Sequence, residues 1–337
     1  MDQPRFVISA AEAESMAQSL GLPSVLHLLP ALVQPAQELA RPPISNYHVG
    51  AVGLGSDGRV FLGVNLEFPG FPLNQSVHAE QFLLTNLAVH RCPGIVALAV
   101  SAAPCGHCRQ FLQELRNSSS LQLLITSEHP NLSPSALNQN LENSLPFKPL
   151  SEFLTSPFGP SDLLAEDSPL LLETHQNGLS LIGGEDDIHQ SAENHAISRN
   201  GVTKGFDLDG EHKNLSNGFC HDSGKKDALL RIAALEAANL SHAPYSNCPS
   251  GVALMDCEGK VYRGSYIESA AYNPSLPPVQ AALVGYIAGG GGGYERIVAA
   301  VLVEKVGAKV THEDIARLFV KKISPKCEFR VFHCHSI

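Results

Sequence analysis

The sequence predicts an α/β protein built from two tandem copies of one three-layer α/β/α unit. Three observations support this prediction. The chain repeats itself at a fixed offset, each copy contains a helix followed by a β-hairpin, and uninterrupted apolar runs alternate with helical patterns. Apolar strands separated by helices indicate a mixed sheet with helices covering both of its faces.

The internal repeat becomes visible when the chain is shifted by 201 positions. This shift superposes identical small and polar residues of the two halves. It places Pro43, Ser45, Asn46, Gly50, Gly58, Val60, Gly63 and Glu67 on Pro244, Ser246, Asn247, Gly251, Gly259, Val261, Gly264 and Glu268.

Local patterns predict the same order of elements in each copy. The first copy has a helix over 29–40, a hairpin turning at Asp57-Gly58, a helix from Val77, a buried strand over 95–103, a helix whose first turn carries Cys105 and Cys108, and a strand over 122–126. The second copy opens with a helix over 227–240 and turns its hairpin at Glu258-Gly259.

The repeat and a shift in composition predict the domain boundaries. Between the copies the chain is rich in polar residues and glycine, which is typical of a weakly ordered linker. We expect an N-terminal helical arm over 1–22, a first domain over 23–155, a partly disordered linker over 156–226 and a second domain over 227–337.

The charge balance argues against a nucleic-acid partner. The chain carries 33 acidic and 23 basic side chains, a formal net charge of −10. A surface of that sign does not attract phosphate backbones in general.

Cysteine usage and the apolar stretches predict the compartment. The eight cysteines are scattered with one close pair, which is typical of a reducing, cytoplasmic environment. The N-terminus has no basic start followed by an apolar run, so no secretory signal is expected. The uncharged stretch 19–37 is interrupted by Pro23, Pro30 and Pro35, which predicts two short core helices rather than a membrane span.

Three side chains of the first copy form a candidate zinc site. Cys105 and Cys108 are three residues apart, so both sulfurs face one way on the first turn of a helix. His78 begins the preceding helix, and one helix and one buried strand can return the chain to the same sheet edge. Three protein ligands leave the fourth zinc position to water, as in catalytic sites.

Glu80 supplies a spare carboxylate beside the three ligands. At a helix start it can flank the same pocket as His78, although a solvated glutamate that stabilises the helix dipole is the alternative. A closed structural zinc site would need Cys92 or His107 as a fourth ligand. Cys92 is isolated before a Pro-Gly turn, and we expect His107 to point away from the cysteines.

These motifs resemble those of the cytidine deaminases of the two-domain, homodimeric kind found in plants and enterobacteria. The resemblance is carried by Ile44-Ser45-Asn46-Tyr47-His48-Val49-Gly50-Ala51, Gly63-Val64-Asn65-Leu66-Glu67, His78-Ala79-Glu80-Gln81 and Pro104-Cys105-Gly106-His107-Cys108-Arg109-Gln110-Phe111. It covers nearly the whole chain.

The resemblance implies a zinc-dependent hydrolase of pyrimidine salvage. It implies one Zn²⁺ per chain on His78, Cys105 and Cys108, with Glu80 as the proton shuttle. Cytidine and 2′-deoxycytidine would give uridine and 2′-deoxyuridine plus ammonia. The implied partners are a small-molecule nucleoside and a second copy of the chain, with no nucleic acid and no membrane.

The resemblance also assigns substrate contacts. Asn65 and Glu67, with Leu66 between them, occupy the ribose-recognition positions, although a polar strand end is the alternative. Tyr47 matches an aromatic residue against the nucleoside, with core packing as the alternative. Phe158 matches a loop residue that reaches the partner subunit's site.

The second copy lacks the metal ligands. Val279, Gln280 and Ala281 stand at the positions of His78, Ala79 and Glu80. Around Thr311 to Phe319 the cysteine motif is replaced by residues that include Glu313 and Ala316. We therefore expect the second domain to fold as a non-catalytic structural partner.

Three other interpretations remain open at this stage. A polynucleotide deaminase would share the metal motif, but the acidic charge balance argues against it. The other two are a zinc-stabilised interaction protein without enzyme activity and a diverged, weakly active copy of the enzyme.

Overall fold

The structure is a computed structural model that describes residues 5–129, 145–182 and 222–337 of the chain. Its internal contacts divide the chain into two compact units. The first comprises Met1–Thr174 together with Ile267–Leu276, and the second comprises His175–Tyr266 together with Pro277–Ile337. The short segment Ile267–Leu276 therefore belongs to the second repeat in sequence and to the first unit in structure.

The first unit is built on a six-stranded mixed sheet of order β1-β3-β2-β4-β5-β6. The strands are β1 (Val7–Ile8), β2 (Gly50–Gly55), β3 (Val60–Val64), β4 (Ile95–Val100), β5 (Gln122–Ile125) and β6 (Lys148–Pro149). β4 and β5 run parallel, and the other neighbouring strands pair antiparallel.

Five helices accompany this sheet among the described residues: α1 (Ala10–Ser19), α2 (Val25–Gln37), α3 (Ala79–Val89), α4 (Gly106–Phe111) and α5 (Leu150–Phe153). α3 is buried over residues 79–87, and this stretch includes the polar residues Glu80, Gln81, Thr85 and Asn86.

Two glycines show that helices cover both faces of the first sheet. Gly63 pairs with Ala51, and Gly50 pairs with Val64, so the two glycines face opposite sides. A Cβ at Gly63 would collide with the backbone of α3 at Ala79, and one at Gly50 would lie 2.6 Å from the Val33 oxygen of α2. The predicted three layers are therefore confirmed for this unit.

The second unit repeats the design with a five-stranded sheet of order β7-β11-β10-β8-β9. Its strands are β7 (Leu179–Leu181), β8 (Ser250–Asp256), β9 (Val261–Ser265), β10 (Ile297–Lys305) and β11 (Glu328–Ser336), and its helices are α6 (Asp222–Asn239), α7 (Pro278–Ala288) and α8 (Glu313–Ile323). β10 and β11 are parallel, like β4 and β5.

The same pair of close approaches recurs in the second unit. Gly251 lies against α6 and Gly264 against α7, where a Cβ would meet helix backbone. Both hairpins also turn at the predicted glycine, since Gly58 and Gly259 each have a φ of +83°. The repeat seen in the sequence is therefore a repeat of backbone geometry.

Two expectations about the N-terminal region need correction. Within the stretch 19–37, Val25–Gln37 form a single helix, α2, with Pro30 and Pro35 inside it, rather than two short helices. Pro30 and Ala36 are buried on its core side, so packing against the sheet outweighs the two lost backbone hydrogen bonds. Residues 7–8 add a strand to the sheet ahead of the predicted helix.

The domain boundaries at 22, 155 and 226 remain predictions. Most of the predicted linker, residues 183–221, lies outside the described residues. Across the described ranges, no helix is both long enough and apolar enough to cross a bilayer.

Candidate metal centre

His78 and Glu80 are placed by the start of α3. His78 is the N-cap residue in an extended conformation, with φ −80° and ψ 156°, and Glu80 follows in the first helical turn. A two-way backbone bridge of 2.9 Å between Leu66 and Val77 fixes the chain just before His78. This irregular start lets an imidazole and a carboxylate two residues apart face one pocket, as expected.

Cys105 and Cys108 are placed by the start of α4. Cys105 is the N-cap residue, with φ −69° and ψ 171°, and Cys108 lies in the first turn. Cys108 is buried and Cys105 is accessible to solvent. The helix follows β4 closely, so the two cysteines lie at the end of a buried strand.

The three predicted ligands converge. The Cys105 and Cys108 sulfurs are 3.7 Å apart, and Nδ1 of His78 lies 3.6 Å from the first and 3.3 Å from the second. Tetrahedral zinc with Zn–S near 2.3 Å and Zn–N near 2.0 Å requires separations of about 3.8 Å between sulfurs and about 3.6 Å between nitrogen and sulfur. The donor set and its spacing therefore fit zinc.

The group contains three ligands rather than four. Among the described residues, the ligand atoms within reach of one another at this site belong to His78, Cys105 and Cys108. Cys92 is elsewhere, and its thiol donates to the Gly94 carbonyl at 3.3 Å. The arrangement is that of an open site.

His107 lies closer to the site than expected. Its ring does not point away but stacks on the His78 ring, with centroids 4.8 Å apart and an interplanar angle of 19°. Its buried Nε2 has no hydrogen-bond partner in the part of the chain that the structure describes. It supports the ligand ring without joining the ligand group.

The titratable groups of the site shift in different directions. Hydrogen bonds from the Cys108 thiol and from His78 lower the pKa of Cys105 to about 3. The neighbouring Cys105 thiolate and burial raise the pKa of Cys108. Burial raises the pKa of Glu80, whose Oε2 lies 3.2 Å from the Cys108 sulfur. A buried carboxyl that holds a proton more readily than usual suits a proton carrier.

The predicted ribose contacts lie at the end of β3 and organise a nearby loop. The Asn65 amide donates to the Tyr47 carbonyl and accepts from the Val49 N–H, both at 2.9 Å. The Glu67 carboxylate accepts from Ile44 N, Ser45 N and the Ser45 hydroxyl. Asn65 keeps a second N–H and Glu67 keeps lone pairs for a ligand.

The other predicted substrate residues divide between core and surface. Leu66 is fully buried, and both of its backbone polar groups bridge to Val77. Tyr47 is 62% exposed and Phe158 is 48% exposed. The Phe158 carbonyl accepts a hydrogen bond from Gln110 of α4, so its loop is tied to the helix that carries the cysteines.

The second unit has apolar groups where the first has ligands. Val279 and Ala281 are buried in the first turn of α7. A different group, Glu304, Glu313 and His333, also brings three ligand atoms within 4.8 Å of one another. It has no sulfur, and one of its members, Glu313, lies in the stretch where the cysteine pair is replaced.

Two segments of the chain match a family description. Residues 25–122 and residues 150–317 each match the cytidine and deoxycytidylate deaminase zinc-binding region.

The full chain is similar to plant proteins of known name. It is 54% identical to cytidine deaminase 1 of Arabidopsis thaliana over 99% of each chain. It is 39% identical to the protein named probable inactive cytidine deaminase 4 of the same plant, over 99% of this chain and 97% of that one. A solved structure of cytidine deaminase from Mycobacterium tuberculosis is 26% identical, covers 40% of this chain and 97% of its own, and has a TM-score of 0.30.

Proposed function

Because this chain belongs to the cytidine and deoxycytidylate deaminase family, we propose that it hydrolyses cytidine and 2′-deoxycytidine to uridine and 2′-deoxyuridine. One water is consumed and one ammonia is released for each nucleoside. The observation that carries the proposal is the convergence of three ligand side chains and a buried carboxyl at two helix starts. Pyrimidine salvage is the metabolic role in which this reaction is used.

The ligand residues define what the metal contributes. His78, Cys105 and Cys108 would hold a zinc ion, which when bound would lower the pKa of a coordinated water to about 7 and supply a nucleophile at neutral pH. His107 keeps the His78 ring in its plane by stacking. The buried Cys108 and the buried Glu80 keep bulk water away from the inner side of the site.

Glu80 moves the protons of the reaction. Its carboxylate takes one proton from the attacking water and delivers it to ring nitrogen 3 of the pyrimidine. It then transfers the second proton to the exocyclic amine, which leaves as ammonia. The burial that raises the pKa of Glu80 makes it able to hold each proton between these steps.

Substrate recognition is proposed for the loop and strand end beside the site. Asn65 and Glu67 would bind the sugar hydroxyls with their remaining hydrogen-bonding capacity while holding the 44–49 backbone in place. The exposed ring of Tyr47 would pack on the nucleoside, and Leu66 would shape the site from beneath.

The assembly and the location are proposed on related grounds. Phe158 is a large exposed apolar side chain in a loop tied to α4, which supports the expected homodimer in which it reaches the partner's site. The seven cysteines of the described residues are free, which supports a cytoplasmic location. The acidic charge balance supports a free nucleoside rather than a polynucleotide substrate.

The direct test is ammonia release by the purified chain with cytidine, with zinc measured on the same sample. We expect turnover at about one zinc per chain. Single-stranded oligonucleotides containing cytosine should not be deaminated. Turnover of the oligonucleotide without turnover of cytidine would refute the proposal.

Glu80→Gln separates an enzyme from a protein that only binds zinc. The amide cannot carry a proton, so kcat should fall by about 10²–10⁴-fold. Zinc content should remain unchanged, because Glu80 is not a ligand. Near wild-type turnover in this variant would exclude the assigned role, and a wild-type chain with full zinc and no turnover would favour the non-enzymatic alternative.

A further inference from the structure

Gln81 is a fully buried side chain next to the proposed proton carrier, and the mechanism above gives it no role. Both ends of its amide are engaged. Oε1 accepts from the backbone N–H of His78 at 3.2 Å, and Nε2 donates to the carbonyl of Pro274 at 2.9 Å. The orientation of the amide is fixed by its partners, because His78 N can only donate and the Pro274 carbonyl can only accept.

Pro274 lies in the segment Ile267–Leu276, which the second repeat contributes to the first unit. The segment is closed at its base by a two-way backbone bridge, with Ile267 N and Leu276 N each donating to the other's carbonyl at 3.1 and 2.7 Å. A hydrogen bond from Ser269 N to the Ser275 hydroxyl at 3.0 Å spans it further in. It is therefore a tight loop with a defined shape.

A second buried side chain, which follows α4, also contacts this loop. Glu114 is fully buried at the end of the short turn that continues α4, the helix of Cys105 and Cys108. Its Oε1 accepts from the N–H of Ala270 at 2.7 Å. The loop 267–276 thus contacts both elements that position the metal ligands, α3 through Gln81 and the end of α4 through Glu114.

We propose that Gln81 is a positioning residue of the metal centre, which fixes the start of α3, and with it His78 and Glu80, against the loop 267–276. The second repeat lacks the metal ligands, but it contributes the loop 267–276, which holds His78 of the first repeat in place through Gln81. Groups that orient a ligating histidine from outside the ligand set tune metal affinity in the same way. The proposal rests on the proposed function in taking His78 as a zinc ligand.

The first test compares zinc release by Gln81→Met with release by Thr85→Val. Methionine fills similar space without a donor or an acceptor. Thr85 is buried one turn further along α3 and donates its hydroxyl to the Gln81 carbonyl, so Thr85→Val removes one buried hydrogen bond from the same helix without touching the loop 267–276. We expect Gln81→Met to release zinc to a chelator about tenfold faster than wild type, with Thr85→Val within about twofold of wild type. Equal release rates in the two variants would overturn the proposal.

The second test uses the wild-type chain and does not depend on a variant folding. Coupling between two sites is reciprocal, so zinc loading should raise the amide hydrogen-exchange protection of residues 267–276. Unchanged protection there would overturn the proposal. Zinc uptake without cytidine turnover would refute the proposed activity alone and leave both readouts of the positioning role intact.

A kinetic measurement distinguishes positioning from general support. With zinc in excess, Gln81→Met should lower kcat while leaving the KM for cytidine within about twofold, because the loop sets His78 and Glu80 rather than the sugar contacts. A variant that raises KM alone would contradict the assignment.

Discussion

The two units share a scaffold and differ in the groups that stand at matching places on it. A helix backbone packs closely against both Gly63 and Gly264, and Gly58 and Gly259 both lie in hairpin turns. The N-cap residue of the helix after the crossover strand differs, being Cys105 in one unit and His312 in the other. Packing positions are retained and chemical positions are not.

The residue that stands at the place of Cys105 in the second unit is a buried aromatic ring. His312 is packed edge-on against Tyr266, with ring centroids 4.4 Å apart, and burial lowers its pKa to about 4. It is therefore neutral at physiological pH, whereas its counterpart Cys105 is exposed and has a pKa lowered to about 3. The second unit therefore has a buried neutral ring where the first unit has an exposed candidate ligand.

Removing the second copy is the strongest way to challenge this comparison. Deleting 227–337 takes the loop 267–276 out of the first unit and removes the hydrogen bonds that join Gln81 to Pro274 and Glu114 to Ala270. The loss of two buried hydrogen bonds is destabilising. We expect an aggregated or inactive product by size-exclusion chromatography and cytidine assay. A soluble and fully active fragment would contradict the role given to the second copy.

Matched glycine substitutions sharpen the comparison. Gly63→Ala and Gly264→Ala each place a methyl group against helix backbone, so each should lower the free energy of unfolding by about 1–3 kcal/mol. Only Gly63 faces Ala79, which lies between His78 and Glu80. Activity per folded molecule should therefore fall in Gly63→Ala alone, as measured by denaturant unfolding and kcat. Equal loss of kcat in both variants would break the distinction.

The last prediction concerns Glu67 and the stability of the first unit in acid. Burial acts to raise the pKa of Glu67, but hydrogen bonds from the Ser45 hydroxyl, Ser45 N and Ile44 N outweigh it and lower the pKa. A folded-state pKa below the unfolded value of about 4.3 stabilises the fold above that pH, and this stabilisation is lost as the pH falls through the folded pKa.

Glu67→Gln tests this sign. The variant should be less stable than wild type by about 1–3 kcal/mol at pH 7, because it weakens charge-assisted hydrogen bonds. The difference should shrink as the pH is lowered below 4.3. Glu38→Gln, at an exposed position, is the matched control and should show no such trend. A difference that grows on acidification would show that the sign is wrong.

The parts of the fold that could be predicted are those encoded locally. The repeat, the hairpin turns, α3, α4 and the buried strands follow from glycines, apolar runs and helix starts within a few residues. The metal centre was predictable for the same reason, since His78 and Glu80, and then Cys105 and Cys108, are each set by one helix start.

The parts that could not be predicted depend on distant contacts. The pairing of β1 with β3, the survival of Pro30 inside α2 and the stacking of His107 on His78 are decided by packing. Gln81 carried one local signal, since a glutamine three residues after an N-cap residue often accepts from that residue's N–H. Its contact with Pro274, 193 residues away, has no local signal.

That separation has a consequence for how the protein is made. A ribosome delivers the chain from its N-terminus at about 5–20 residues per second, so His78, Cys105 and Cys108 emerge well before Pro274. The first unit therefore waits through the whole linker and a third of the second repeat before its last loop arrives. A nascent chain stalled in the linker would hold all the zinc ligands and still lack a finished site, which makes this interval the stage at which newly made protein most needs protection from aggregation.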